Sequence, residues 1–149
     1  MAKEARNRGC YDRIVVGDAE CILHVCKDEE SVESLDYDFL FACDLFPYIG
    51  DLSKMFLTAK KCLEYRGGIF AFSAEVVNES QELSCGDDDD DEDFVMQSCA
   101  RFAHKRWYIR SLAEKFGFET LSCKESAVLR KHFDKDVLGA LIVLSLPSA

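Results

Sequence analysis

No glycine-rich loop of the GxGxxG kind stands before the first apolar run of this 149-residue chain, because only thirteen residues precede Ile14. A phosphate- or nucleotide-cradling first turn is therefore excluded from the sequence as it stands. A basic stripe is also missing. Acids outnumber Lys and Arg 28 to 18, for a formal charge of −10, and setting aside the unbroken acidic run Asp87 to Asp93 leaves a body of about −3, so phosphate-backbone binding to nucleic acid is not expected. The eight cysteines form no CxxC pair and the three histidines are scattered. That spacing excludes a zinc site and predicts buried, reduced thiols and no metal. The charged start, Met1 to Gly9, has no apolar core of secretory length, and the longest apolar stretch, Val137 to Leu146, is about half of the roughly 20 residues a membrane span needs. A cytoplasmic chain with no membrane partner is expected.

What is present suits one globular domain: 48% hydrophobic residues with 11% aromatics supply a sizeable core. Three short apolar runs each end on a polar or acidic residue. They are Ile14-Val15-Val16-Gly17 before Asp18, Phe39-Leu40-Phe41-Ala42-Cys43 before Asp44, and Ile69-Phe70-Ala71-Phe72 before Ser73 and Glu75. As parallel strands they would bring those polar ends to one rim, where open α/β sheets bind ligands.

The pattern between the runs supports that class. Ala2 to Arg8 favours helix and Gly9 stops it; Asp18 to Leu35 reads as an irregular helix and loop. From Asp51 to Leu63 apolar residues recur at three and four, with Asp51 placed as the cap. A strand, this helix and the strand Ile69–Phe72 make a right-handed parallel crossover the default. Residues 86–93 read as a solvated acidic loop. A helix follows from Lys105 to Phe116, its inner face carrying Trp107, Ile109, Leu112, Ala113 and Phe116. Strands Phe118–Ser122 and Leu138–Leu146, joined by the charged stretch Arg130–Asp136, are expected as an antiparallel pair at the sheet edge.

Three places hold residues suited to chemistry, each beside a plainer reading. Asp18-Ala19 after the first run is either a helix cap or a carboxylate and amide set to bind an adenine edge. Asp44 either caps a turn, binds a cation or orients a substrate. The segment Ser98-Cys-Ala-Arg101-Phe-Ala-His104, followed by Trp107 and Tyr108, is either a helix entry with surface Arg and His or an anion-binding, proton-transferring group.

Tyr37-Asp38-Phe-Leu-Phe-Ala-Cys-Asp44-Leu-Phe-Pro-Tyr48-Ile-Gly-Asp51-Leu and Leu63-Glu-Tyr-Arg-Gly67-Gly68-Ile-Phe-Ala-Phe-Ser73 together resemble the fourth strand, following helix and fifth strand of class I S-adenosylmethionine-dependent methyltransferases. Asp18-Ala19-Glu20 resembles the acidic motif after their third strand. Arg101-Phe102-Ala103-His104 is similar to a motif before the last large helix in the small-molecule-type branch, including members attached to tetratricopeptide repeats. The resemblance runs from about Met1 to Leu146 and implies a Rossmann-like sheet, mostly parallel with an antiparallel edge strand, that lacks its first two strands and the glycine-rich cofactor loop. Residues 1–149 would then be a partial methyltransferase domain.

The roles implied follow from the resemblance alone: Asp18 and Ala19 hold adenine, Asp44 faces the methyl-bearing end, and Tyr48, His104 and Tyr108 lie toward the acceptor, with His104 as base. The implied function is methyl transfer from S-adenosylmethionine, with this chain truncated and inactive by itself unless another chain supplies the missing N-terminal half. The alternative is a noncatalytic remnant or interaction module. An unrelated flavodoxin-like domain shares the alternation of strands and helices but needs a phosphate-binding loop that this sequence lacks.

Overall fold

The computed structural model describes residues 2–19, 37–77, 92–132 and 135–148. The chain divides into two compact units, Met1–Ser34 and Leu35–Ala149.

In the first unit, helix α1 (Ala2–Arg8) has its acid Glu4 in the first turn and Arg6 and Arg8 in the last, which suits the helix dipole. Gly9 closes it at φ 61°, with its N–H donated to the Arg6 carbonyl at 3.2 Å. The run Arg13–Gly17 is not a strand. Its apolar residues have no ladder partner among the described residues, and a strand exists only through such pairing. The expected irregular helix and loop after Ala19 falls on residues 20–36, outside those described.

The second unit holds β1 (Phe39–Ala42), a 3₁₀ turn (Phe46–Tyr48), α2 (Ser53–Leu63), β2 (Gly68–Glu75), β3 (Phe94–Met96), β4 (Phe102–His104), α3 (Arg106–Phe116), β5 (Glu119–His132) and β6 (Lys135–Leu146). Four strands form one sheet in the order β1-β2-β6-β5, and β3 pairs with β4 separately. The expected parallel pair is there: Phe39 lies opposite Ile69 and Ala42 opposite Phe72. The other ladders, β2 with β6 and β6 with β5, are antiparallel, so the sheet among the described residues is mixed.

Helix α2 forms because its apolar positions fall on one stripe. Leu52, Phe56 and Leu63 are fully buried, and Met55, Ala59 and Cys62 nearly so. The sheet face that receives them alternates as a strand should, with Phe70, Phe72, Ala140, Ile142 and Leu144 all buried. Phe56 is the hub, with ring centroids 5.6 Å from Phe70, 5.8 Å from Phe72 and 6.0 Å from Phe118, all edge-on. Such pairs add about 0.5–1.5 kcal/mol each beyond their area.

Helix α3 packs beside α2, with the Phe116 ring 6.4 Å from that of Phe56, and buries Tyr108, Ile109, Leu112 and Ala113. Trp107, expected on the inner face, is 45% exposed, and Tyr108 takes the inward place. Gly117 ends α3 in the left-handed region at φ 81°, its N–H shared between the Ala113 and Glu114 carbonyls. Gly67 is needed for a second reason besides its φ of 75°: a Cβ there would stand 2.7 Å from the Leu146 carbonyl oxygen.

The last two strands are far longer than expected. Most of the stretch Arg130–Asp136 belongs to the hairpin itself, whose tip, residues 133–134, lies outside those described. Charged side chains on the open face of an edge ladder cost nothing to hydrate. Strand β5 carries three register shifts, between Thr120 and Ser122, Lys124 and Ala127, and Val128 and Arg130. No helix among the described residues is long and apolar enough to cross a membrane.

Candidate functional site

Strands β1 and β2 run parallel, so their C-terminal ends share one rim, and the first acid there is Asp44. It sits at φ 53°, a region that non-glycine residues rarely adopt and that Asp tolerates better than most. The sharp bend aims its N–H at Ser73 Oγ, 3.0 Å away on β2. Its side chain remains 66% exposed.

The chain then buries Phe46 against Phe72, ring centroids 4.8 Å apart, before Pro47. With Phe46 sunk in the core and the turn fixed by Pro47, Tyr48 is left outside. Arg101 reaches both rim residues. Its Nη1 is 3.2 Å from Asp44 Oδ1, its Nη2 donates to the Tyr48 hydroxyl at 2.8 Å, and its guanidinium carbon lies 4.8 Å from the centre of the Tyr48 ring. The turn that delivers Arg101 carries a second left-handed residue, Ala100 at φ 56°.

Beneath this layer is a buried charge. Glu75, at the end of β2, is 1% exposed. Its Oε1 accepts from Arg130 Nε at 3.0 Å and lies 2.9 Å from Arg130 Nη2; Oε2 accepts from Gln97 Nε2 at 3.2 Å. Arg101 Nη1 is 3.8 Å from the same Oε1. Arg130 starts on β5 and crosses β6 to reach β2. The residue of β6 opposite Glu75 is Gly139, where a Cβ would run into the Leu129 side chain and the Ala74 carbonyl oxygen. Every acceptor on Glu75 is thus met by a cationic or amide donor, the condition under which a buried carboxylate is tolerated.

His104 and Tyr108 hold the same loop from the inside. His104 is fully buried, with Nε2 3.0 Å from both the Ile49 and Gly50 carbonyl oxygens. Two acceptors require Nε2 to carry the proton, which leaves Nδ1 the lone pair; Nδ1 is buried and has no hydrogen-bond partner. Burial pushes the imidazole below its ordinary value of 6.5, against the opposing pull of the Gly50 and Ile49 carbonyls. The Tyr108 hydroxyl donates to Asp51 Oδ1 at 2.8 Å and accepts from the Leu52 N–H at 2.9 Å. Burial, and the bond donated to Asp51, raise the phenol to about 12. Asp51 also accepts from the Ser53 N–H at 2.8 Å. Burial alone would raise its carboxyl, but the Ser53 and Tyr108 bonds outweigh that and lower it.

The structure therefore brings together four of the six sequence-predicted residues. Asp44 and Tyr48 are exposed on the rim, while His104 and Tyr108 clamp the loop that carries Tyr48. His104 Nε2 and the Tyr108 hydroxyl are engaged with this loop and its neighbour Asp51, and the Nδ1 lone pair of His104 is buried. Asp18 is exposed and Ala19 half-buried in the first unit. Sequence reasoning missed Gln97 and Arg130, which become neighbours of Glu75 only through folding. Glu75 itself was detectable as the single acid closing an otherwise apolar strand. No group of three or more His, Cys, Asp or Glu that could hold a metal ion occurs among the described residues.

The fold is an α/β, Rossmann-like one, similar to that of S-adenosylmethionine-dependent methyltransferases. The chain is similar in structure to an S-adenosylmethionine-dependent methyltransferase of Methanosarcina mazei, with a TM-score of 0.63 at 14% identity, over 99% of this chain and 76% of that one. The [4+2]-cyclase SpnF matches with a TM-score of 0.66 at 14% identity over 99% of this chain and 61% of its own. A chain from the complex of the Haloferax volcanii Trm112 methyltransferase activator matches at 0.59 and 15% identity, over 100% of this chain and 68% of that one. This chain thus spans about two thirds of those structures. No family model and no curated protein matches it. At these identities the likeness is one of fold, and a cyclase among the neighbours shows that this fold does not fix the reaction.

Proposed function

We propose that this chain is the C-terminal part of an S-adenosylmethionine-dependent methyltransferase, of the small-molecule-type branch similar to tetratricopeptide-associated members. The observation that carries the reading is Asp44. A strained, exposed carboxylate is anchored by Ser73 and Arg101 at the C-terminal end of a parallel strand pair, and strain of this kind collects at functional sites.

The rim is assigned to the sulfonium side of the cofactor, with the exposed Asp44 carboxylate, one oxygen of which is held by Arg101, as the group that faces the cation. A counterpart to the glycine-rich loop, which would hold the methionine end, does not occur in this sequence. When bound, S-adenosylmethionine supplies a methyl group on a sulfonium, which passes in line to a lone pair of the acceptor while the C–S electron pair returns to sulfur. The chain's own residues then orient the reactants. Asp44 faces the methyl-bearing end, Tyr48 presents its ring and hydroxyl toward the acceptor, and His104 and Tyr108 act as positioning residues through the loop 47–52. Asp18 and Ala19 are assigned to the adenine ring.

Among the described residues β1 is the last strand of its sheet, and Phe39 and Phe41 on it are 55% and 66% exposed. That outer side favours a second chain, or a further segment, completing the domain there, and one structural neighbour comes from a complex with an activator.

Calorimetry of S-adenosylmethionine into the chain tests the reading. Weak or no binding by the chain alone, and saturable binding once an N-terminal half is supplied that weakens about tenfold in Asp44→Asn, a change worth about 1.4 kcal/mol, is the expected result. No binding at millimolar cofactor, alone or with a supplied N-terminal half, would instead establish a noncatalytic remnant or interaction module.

A further inference from the structure

The β3–β4 hairpin has two faces of different character. Met96 lies opposite Phe102 and Phe94 opposite His104, and since paired residues project to the same side, all four share one face. His104 closes the inner end of that face. Phe94 sits over it, its ring 6.1 Å from the imidazole and 5.5 Å edge-to-face from Phe102.

The outer end is open. A cavity of about 400 Å³ is lined there by Phe94, Met96 and Phe102, with Glu92 and Asp93 as its polar members. Its size falls at the lower end of the range for small-ligand sites. Met96, a large apolar side chain, is 62% exposed. Glu92 and Asp93 thus set two carboxylates, one sign of charge, at the mouth of an apolar cavity. Aromatic faces and carboxylates attract the same kind of ligand, a cation that brings its own apolar body.

We propose that this cavity binds a protonated amine carried on an aliphatic or aromatic stem, the stem against Phe94, Met96 and Phe102 and the ammonium toward Glu92 and Asp93. Two chain neighbours tie the site to the rim. Met96 precedes Gln97, which donates to Glu75, and Phe102 follows Arg101, which holds Asp44 and Tyr48. The amine is therefore the anchoring arm of the methyl acceptor, a role that rests on the methyltransferase reading, whereas the amine site itself does not.

The test is an amide chemical-shift titration of the full chain without cofactor. The probes are 2-phenylethylamine, its neutral isostere 2-phenylethanol, and a lysine-containing peptide beside the same peptide with the lysine acetylated. Saturable shifts at Phe94–Met96 and Phe102 with the amine, at least about tenfold weaker with the alcohol and weakened by added salt, are expected of an ammonium site. The double substitution Glu92→Gln and Asp93→Asn should cost about tenfold in amine affinity, with the thermal melt unchanged because both acids lie outside the core. Binding of the peptide only through its unmodified lysine places the source of the amine in a protein; binding of the free amine alone makes it a small molecule. Equal affinity for alcohol and amine, or shifts away from the hairpin, overturns the proposal. Because cofactor takes no part in this titration, its outcome is separate from that of the calorimetric test.

Discussion

Arg130 and Glu75 meet across an intervening strand, with Nε and Nη2 of the guanidinium 3.0 and 2.9 Å from the single oxygen Oε1. The two residues stand 55 positions apart in sequence, and the pair joins the edge strand β5 to the strand that ends at the rim.

Removing one member strands the other. Glu75→Ala leaves Arg130 and Arg101 without their buried counter-charge and is expected to cost about 3 kcal/mol, read as a lower urea midpoint at unchanged slope. A double-mutant cycle with Arg130→Ala should return a coupling energy of more than about 1 kcal/mol. Additive effects would show that the two do not interact.

Arg101 makes the contrasting case, since its hydrogen-bond partners Asp44 and Tyr48 are exposed and its contact with buried Glu75 is the longer one, at 3.8 Å. Arg101→Lys keeps the charge and loses the fork that spans carboxylate and phenol. Stability should change by less than about 1 kcal/mol, while the Asp44-dependent cofactor affinity falls. Loss of stability comparable with that of Glu75→Ala would place Arg101 in the scaffold instead.

Tyr108→Phe deletes one bond donated and one accepted at the start of α2. A loss of about 1–3 kcal/mol is expected, because the Leu52 N–H is buried and left unpaired. The same substitution should move the Asp51 carboxyl upward, visible in a carboxyl-detected titration; an unmoved Asp51 would contradict the bond.

The buried imidazole makes stability depend on pH. His104 is held neutral in the fold, with its value lowered from 6.5, so the unfolded chain binds the proton more readily. Full stability is present above about pH 6.5 and declines as pH falls from there toward the folded value. Thermal midpoints measured between pH 7.5 and 5.5 should drop in the parent and stay flatter in His104→Gln, which keeps a donor for the Ile49 and Gly50 carbonyls. Parallel curves would mean that another group titrates.

The crossover β1-α2-β2 was legible because local periodicity and the polar strand ends sit within one contiguous stretch. The long β5–β6 hairpin was legible only at its apolar ends, since charged residues on an open edge erase the alternation that marks a strand. At Arg13–Gly17 the apolar composition of a strand occurs without a ladder partner among the described residues. The helix face was misjudged at Trp107 because hydrophobicity ranks Trp above Tyr, whereas the inward position is decided by a hydroxyl with two partners. His104 drew attention as a titratable group, and its burial depends on Phe94 and on the loop 47–50, neither of which its neighbours in sequence reveal.

The two outer strands of the sheet among the described residues are built to opposite standards. Strand β5 is interrupted three times in register and carries Lys124, Glu125, Arg130 and Lys131, features that keep a free edge from templating another chain. Strand β1 is short, regular and topped by the stacked rings of Phe39 and Phe41, 6.2 Å apart. Self-association of the purified chain should therefore start at β1, and Phe41→Lys should raise the concentration at which it stays monomeric without lowering its melting temperature.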